Sequence, residues 1–339
     1  TLVQGEQIQI QYRVVNVNFV DMDSIRVRYT YTDSENKSLS RYKMLPPLKS
    51  GKVIDDFVNF EIGSGRTTDI KLTIEINPDG QQPELYHFNN TLTQQFSIKG
   101  DNDNPILQVA FDGIQIMDGD IVSSSPEIGV TLFDENKFLP ITDPQSFEIK
   151  IDTGHNEFFT VDVNQPNVRF EPATTESKTA KLYFKPTFKD GEYKMLVQGK
   201  DVSGNKSGIH PRSVTFNVIT AKTVSNFLNY PNPFSNSTQF IFTLTGDEVP
   251  ENISISIYTV TGKVVREIRR EELGALHIGV NRTTYRWDGT DEYGEKLANG
   301  VYLYKVNVLH KDGKKYDNFS NKSIDKYFKE GFGKLVIMR

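Results

Sequence analysis

The sequence has 339 residues, 37% of them hydrophobic and 24% charged, with 22 Phe and 15 Tyr; this supplies two or three compact cores and excludes wholesale disorder. A net charge of −5 provides no general basic face for nucleic acid, and the absence of cysteine removes thiol nucleophiles, Fe–S clusters and thiolate zinc sites. No apolar run approaches the ~20 residues that a membrane-spanning helix needs, so no transmembrane segment is expected.

The chain starts Thr1-Leu2-Val3-Gln4-Gly5-Glu6, which is neither an initiator Met nor a signal peptide and runs straight into a strand pattern. A piece of a longer, exported precursor is expected. Ile8, Ile10, Tyr12 and Val14 alternate with polar residues, as do Ile25, Val27, Tyr29 and Tyr31, and then Ile70, Leu72, Ile74 and Ile76. The same period of two returns at Phe240, Phe242 and Leu244 and at Ile253, Ile255 and Ile257. Such alternation puts one row of side chains on a buried face and the other in water. No helical period persists beyond about ten residues. The fold expected is all-β: three tandem immunoglobulin-like antiparallel β-sandwich domains.

Turn chemistry sets the boundaries. Lys99-Gly100-Asp101-Asn102-Asp103-Asn104-Pro105 is a dense breaker cluster, and Thr220-Ala221-Lys222-Thr223-Val224-Ser225 a milder seam. The domains predicted are 1–99, 105–219 and 225–339. Residues 310–333, rich in Lys, Asp, Asn, Ser and Gly, read as an exposed insertion before a last strand over 334–338.

The third domain carries the most specific motifs. Asn229-Tyr230-Pro231-Asn232-Pro233-Phe234 precedes a strand. Later come Thr261-Gly262-Lys263, Trp287-Asp288-Gly289-Thr290-Asp291-Glu292-Tyr293-Gly294 and Leu297-Ala298-Asn299-Gly300-Val301-Tyr302. The prolines fix φ and predict an extended entry, Phe234 an apolar plug, Trp287 a core anchor, and Asp288 and Asp291 Asx-type caps. Gly262, Gly289, Gly294 and Gly300 stand where tight turns call for positive φ. This set resembles the immunoglobulin-like domain of flagellar hook-capping proteins and the C-terminal sorting domains of type IX (Por) secretion cargo of Bacteroidota. The resemblance implies a sorting motif made of Pro231, Asn232, Pro233, Phe234, Trp287, Asp288, Gly289, Gly300 and Tyr302, in which the fold itself is the export signal. The insertion at 310–333 is longer than a compact sorting domain needs and leaves removal by a sortase open.

Gly5-Glu6-Gln7-Ile8-Gln9-Ile10 and Glu84-Leu85-Tyr86-His87-Phe88-Asn89-Asn90 make the first domain resemble the CARDB-like sandwiches of bacterial surface proteins. In the second, Asp190-Gly191-Glu192-Tyr193 and Asp201-Val202-Ser203-Gly204-Asn205 recur in bacterial extracellular sandwich repeats. The three in this order resemble the tail of gingipain-family sortase-like cysteine peptidases, whose catalytic domain lies upstream; no residue here would inherit that role. Asp23-Ser24-Ile25 fits the short Asp-Ser/Thr-apolar motif glycosylated on exported Bacteroidota proteins.

Calcium is the one metal hypothesis the sequence raises. Asp101-Asn102-Asp103-Asn104-Pro105 resembles the interdomain linker of cadherins, and Ca2+ takes six to eight oxygens of the kind that Asp, Asn and Glu supply. Asp101, Asp103, Asp134 and Glu135 are the candidate ligands, with Asn136 beside them; a solvated hinge closed by Asx turns is the competing reading. His87, His155, His210, His277 and His310 are scattered singly and suggest no zinc. Asp55-Asp56, adjacent on a strand, point to opposite faces and cannot share acid–base work. Neither a nucleophile elbow nor a phosphate loop is present.

Three functions remain. The leading one is a non-catalytic stalk and attachment region of a type IX-associated surface protein. It would be exported to the cell surface or outer membrane and would contact outer-membrane translocon components or the upstream domains of its own precursor. The second is an adhesin or glycan-binding module, for which Tyr29 and Tyr31 are platform candidates although strand position favours the core. The third is an accessory tail of an upstream peptidase.

Overall fold

The computed structural model describes residues 2–62, 69–84, 86–152, 157–309, 317–318 and 332–339. The alternating rows become strands throughout. In the first domain these are β1 (Leu2–Val3), β2 (Gln7–Val15), β3 (Ile25–Asp33), β4 (Ser38–Leu45), β5 (Val53–Glu61), β6 (Asp69–Ile76) and β7 (Thr91–Lys99). A five-stranded sheet, β1-β7-β6-β3-β4, packs on the β2-β5 ribbon around Tyr12, Val14, Ile25, Val27, Leu72 and Ile74. Asp55 and Asp56 do face opposite sides of β5: the first pairs with Arg13, and the second takes Lys43 and the Tyr12 hydroxyl.

The second domain comprises β8 (Ile106–Phe111), β9 (Asp120–Val122), β10 (Ile128–Phe133), β11 (Phe147–Asp152), β12 (Phe158–Thr160), β13 (Val168–Glu171), β14 (Thr179–Phe184), β15 (Gly191–Gly199) and β16 (Arg212–Val218). Sheets β13-β14-β10-β8 and β12-β11-β15-β16-β9 enclose a core centred on Phe216, which packs on Phe111, Phe188 and Tyr193. The Asp-Gly-x-Tyr string works as a corner. The Tyr193 hydroxyl donates to the Lys189 carbonyl at 3.0 Å and accepts from the Lys189 N–H at 3.1 Å.

The third domain is built from β17 (Thr223–Tyr230), β18 (Gln239–Leu244), β19 (Asn252–Thr259), β20 (Val264–Ile268), β21 (Gly279–Arg282), β22 (Gly300–Leu309), β23 (Asp317–Asn318) and β24 (Gly333–Ile337). Its sheets are β21-β18-β17-β23 and β20-β19-β22-β24. Phe227 stacks on Phe242 with centroids 5.0 Å apart, and Trp287 is fully buried. Each such aromatic contributes about 1.5–3 kcal/mol through burial.

All-β immunoglobulin-like architecture is thus observed; the only helical piece among the described residues is a single 3-10 turn, Pro144–Ser146, capped by Asp143. One refinement concerns strand direction. Each domain contains a short parallel pair, β1 with β7, β9 with β16 and β17 with β23, as well as the antiparallel ladders. In the first two domains the opening strand divides between the two sheets: β1 and β2 lie in different sheets, as do β8 and β9. Gly5, at φ +86°, makes the first of these switches. Apart from the backbone of 317–318 and residues 332–333, the expected insertion over 310–333 lies outside the described residues, as do His155 and His310.

The second and third domains meet at a tight seam. Gly279 approaches Ile121 so closely that a Cβ built on it would stand 2.5 Å from the Ile121 carbonyl oxygen. Gly246 donates its N–H to Ile219 at 3.0 Å, and Thr220 donates to Asp190 at 2.6 Å. Lys222 bridges Asp247 at 2.8 Å and Glu248 at 3.2 Å.

Candidate functional site

The seam between the first and second domains is polar and acidic. Asp101, just past β7, donates its N–H to the side-chain oxygen of buried Gln4 at 2.8 Å. Asp134 directly follows β10. Asp201 follows β15 and opens a turn in which its carboxylate accepts the Asn205 N–H at 2.7 Å and the Asn205 side-chain amide at 2.8 Å. These three strand ends bring one carboxylate oxygen from each of Asp101, Asp134 and Asp201 within 4.8 Å of one another. Asp134 is 3% exposed and Asp201 2% exposed.

Neutral donors hold the group together. The Asn136 amide donates to Asp101 Oδ2 at 3.1 Å and to the Gln4 carbonyl at 3.2 Å. Ser203 donates to Asp101 Oδ2 at 3.3 Å, and the Asn205 amide to the Asp101 carbonyl at 3.1 Å. Asp134 Oδ1 accepts the Asn136 N–H at 3.2 Å, whereas Asp134 Oδ2 is buried without any partner. Burial, reinforced by the charges of Asp101, Asp201 and Asp103, pushes the Asp134 carboxyl up to about 6. Burial likewise raises that of Asp201. Beside the cluster, Gly5 packs against Leu139 so closely that a Cβ would lie 2.5 Å from Leu139 Cγ.

Of the four acidic residues singled out from the sequence, the fold brings Asp101 and Asp134 together. Asp103 and Glu135 are exposed and stay outside the group. Asp103 is instead the far end of an Asx turn, donating its N–H to Asp101 Oδ1 at 3.2 Å. Sequence reasoning missed Asp201 and Asn205. Their signal was the Asp-x-Ser-Gly-Asn string, read there only as a repeat marker.

The third-domain motifs converge on β24. Through Pro231-Asn232-Pro233 the chain bends, with both X–Pro bonds cis, rather than entering extended. The Asn232 side chain then mimics a strand: its amide donates to the Lys334 carbonyl at 2.9 Å, and its carbonyl accepts the Val336 N–H at 3.0 Å. Phe234 adds backbone bonds to Val336 and Met338, and its ring lies 5.6 Å from that of Trp287. Trp287 donates its indole N–H to the Thr290 carbonyl at 2.9 Å, and Asp288 caps Thr290 at 3.2 Å. The Tyr302 hydroxyl donates to the Ala298 carbonyl at 3.0 Å, and Gly289 and Gly300 both hold positive φ. Arg339 reaches over this end, donating to the carbonyls of Leu297, Asp288 and Gly289.

The remaining candidates resolve simply. Tyr29 is buried and Tyr31 packs on Phe60, so neither forms an exposed platform for sugars. His277 bonds within its own turn, and His87 lies 3.3 Å from Glu84; neither joins the acidic group.

Residues 231–312 match the family described as FlgD Ig-like domain. No curated protein matches the chain. Among solved structures, dimeric latent PorU from Porphyromonas gingivalis is similar at 17% identity and a TM-score of 0.28, covering 92% of this chain and 31% of that one. The chain therefore spans about a third of that protein's length. The FN1–FN3 domains of chicken CNTN1 are similar at 9% identity and TM-score 0.23, over 94% of this chain and 90% of that one. A marsupial T cell receptor is similar at 7% identity and TM-score 0.24, over 90% and 94%. These likenesses concern the fold alone. No helix among the described residues is long and apolar enough to cross a membrane.

Proposed function

We propose that this chain is the non-catalytic stalk and attachment region of a larger type IX secretion-associated cell-surface protein, working through protein–protein contacts. The observation that carries the reading is the third domain. There the ordered motifs, within a segment matching an FlgD Ig-like domain, gather around the closing strand β24. The serial arrangement of three filled sandwich cores supports a spacer, because such cores leave surfaces and edges to make contacts. The recesses on the first domain, lined by Gln7, Tyr31, Arg41 and Glu61 or by Gln11, Tyr12, Arg13, Asp55, Asp56 and Phe57, are open to solvent, and in the second the Tyr12 hydroxyl and Lys43 are both spent on Asp56. The experiment is co-purification of the tagged chain from outer membranes. Translocon components should accompany the full chain and disappear when residues 225–339 are deleted. Equal recovery with and without that domain would refute the attachment role.

A further inference from the structure

We infer that the junction of the first two domains is a calcium-binding site, formed by the carboxylates of Asp101, Asp134 and Asp201 with the main-chain carbonyls of Gln4 and Asp101 as neighbouring oxygens. Two independent observations carry this. The first is convergence. Three segments remote in sequence place a carboxylate oxygen each within 4.8 Å of the others, and oxygens held 2.3–2.6 Å from one Ca2+ can lie no more than ~5 Å apart. The second is Asp134 itself. It is 97% removed from solvent by its 3% exposure, and its Oδ2 has no hydrogen-bond donor. A buried, unpartnered carboxylate oxygen costs free energy unless a cation or proton satisfies it.

The chemistry selects the ion. Every donor is a hard oxygen, the chain has no thiolate, and no His among the described residues joins the group, which favours Ca2+ or Mg2+ over transition metals. The ligands come from loop ends of two domains rather than a rigid cage, and such adaptable shells suit Ca2+ better than octahedral Mg2+. The amides of Asn136 and Asn205 donate into the group, the weak positive poles that an ion would replace. Since Asp101 and Gln4 belong to the first domain's end and Asp134 and Asp201 to the second, a bound ion would tie the two together. The inference is independent of the stalk reading.

Isothermal titration of the full chain with calcium chloride at neutral pH tests it, alongside D134N, D201N and the exposed control D103N. One ion should bind in the range typical of extracellular calcium modules, a Kd on the order of 10⁻⁴–10⁻³ M. D134N and D201N should weaken binding at least about tenfold, and D103N by less than about twofold. Asp→Asn relieves the mutual repulsion of the carboxylates, so the variants should fold; near-native circular dichroism checks this. As a second readout, calcium should slow tryptic cleavage after exposed Lys99 in the wild type and leave D134N unprotected. No binding up to about 10 mM, wild-type affinity in the folded D134N and D201N chains, or equal affinity for magnesium would each overturn the assignment.

Discussion

The two seams of the array solve one problem in opposite ways. Between the second and third domains, backbone contact at Gly279 and Ile121 is close, and the acidic Asp247 and Glu248 share one cation, Lys222. Between the first and second, Gly5 again makes the close contact, yet among the described residues Asp101, Asp134 and Asp201 meet neutral donors. One seam gives its half-exposed acids a lysine; the other gathers carboxylates without a cation in buried surroundings. The lesson is that similar close glycine contacts can sit beside quite different charge surroundings.

The comparison can be broken most sharply at the second seam. Gly279 has φ +106°, and its Cβ would meet a backbone carbonyl that cannot swing away. G279A should cost about 4 kcal/mol, combining a disfavoured backbone with overpacking, and should lower the calorimetric unfolding temperature of the third domain. The next effect is specific to the acidic seam. With the Asp134 carboxyl raised to about 6 by burial, the folded chain holds this proton more tightly than the unfolded chain does. Without metal, stability should therefore be greatest at or below pH 4 as far as this group is concerned. It should fall by about 3 kcal/mol as pH rises from 4 to above 6, and D134N should flatten that slope in urea titrations across the range, leaving the part due to Asp201, whose carboxyl burial raises in the same direction. Asp101, Asp103 and Asp201 are the charges facing the group, and all act in the same direction.

A smaller change is expected for G5A. Its Cβ would meet the Leu139 side chain, which can shift, and at φ +86° would stand 2.9 Å from the Phe138 carbonyl oxygen, so about 2–3 kcal/mol is expected, read as earlier proteolysis at the first seam with the second intact. Smallest is K222Q. Its partners are about half exposed, so the loss should stay under about 1 kcal/mol and vanish in high salt. A K222Q effect as large as that of G279A would mean that charge, not contact, holds the second seam.

Much of this was legible in the sequence because strand periodicity is local. The rows Ile25–Val27–Tyr29 and Phe240–Phe242–Leu244 declared their buried faces without any knowledge of partners, and Trp287 declared itself as a core anchor. The acidic seam was half legible. Asp101 sits in a conspicuous Asx run, but Asp201 lies about a hundred residues away and joins only because β10 and β15 end beside the linker. Asp103 and Glu135 misled for a related reason. Glu135 adjoins Asp134 where neighbouring side chains point to opposite sides, and Asp103 closes an Asx turn on Asp101 with its own carboxylate exposed, so a cluster in sequence is not a cluster in space. The parallel pairs were not legible, since a two- or three-residue strand switching sheets leaves no periodicity to read.

One further consequence follows from β24. Leu335 and Ile337 are core residues, and the strand is stitched to β22 on one side and to Asn232 and Phe234 on the other. Clipping the polypeptide just ahead of residue 333 would therefore not trim an appendage. It would bare the hydrogen-bonding rim of β22, unroof Trp287 and turn a self-contained sandwich into an acceptor seeking a replacement ribbon.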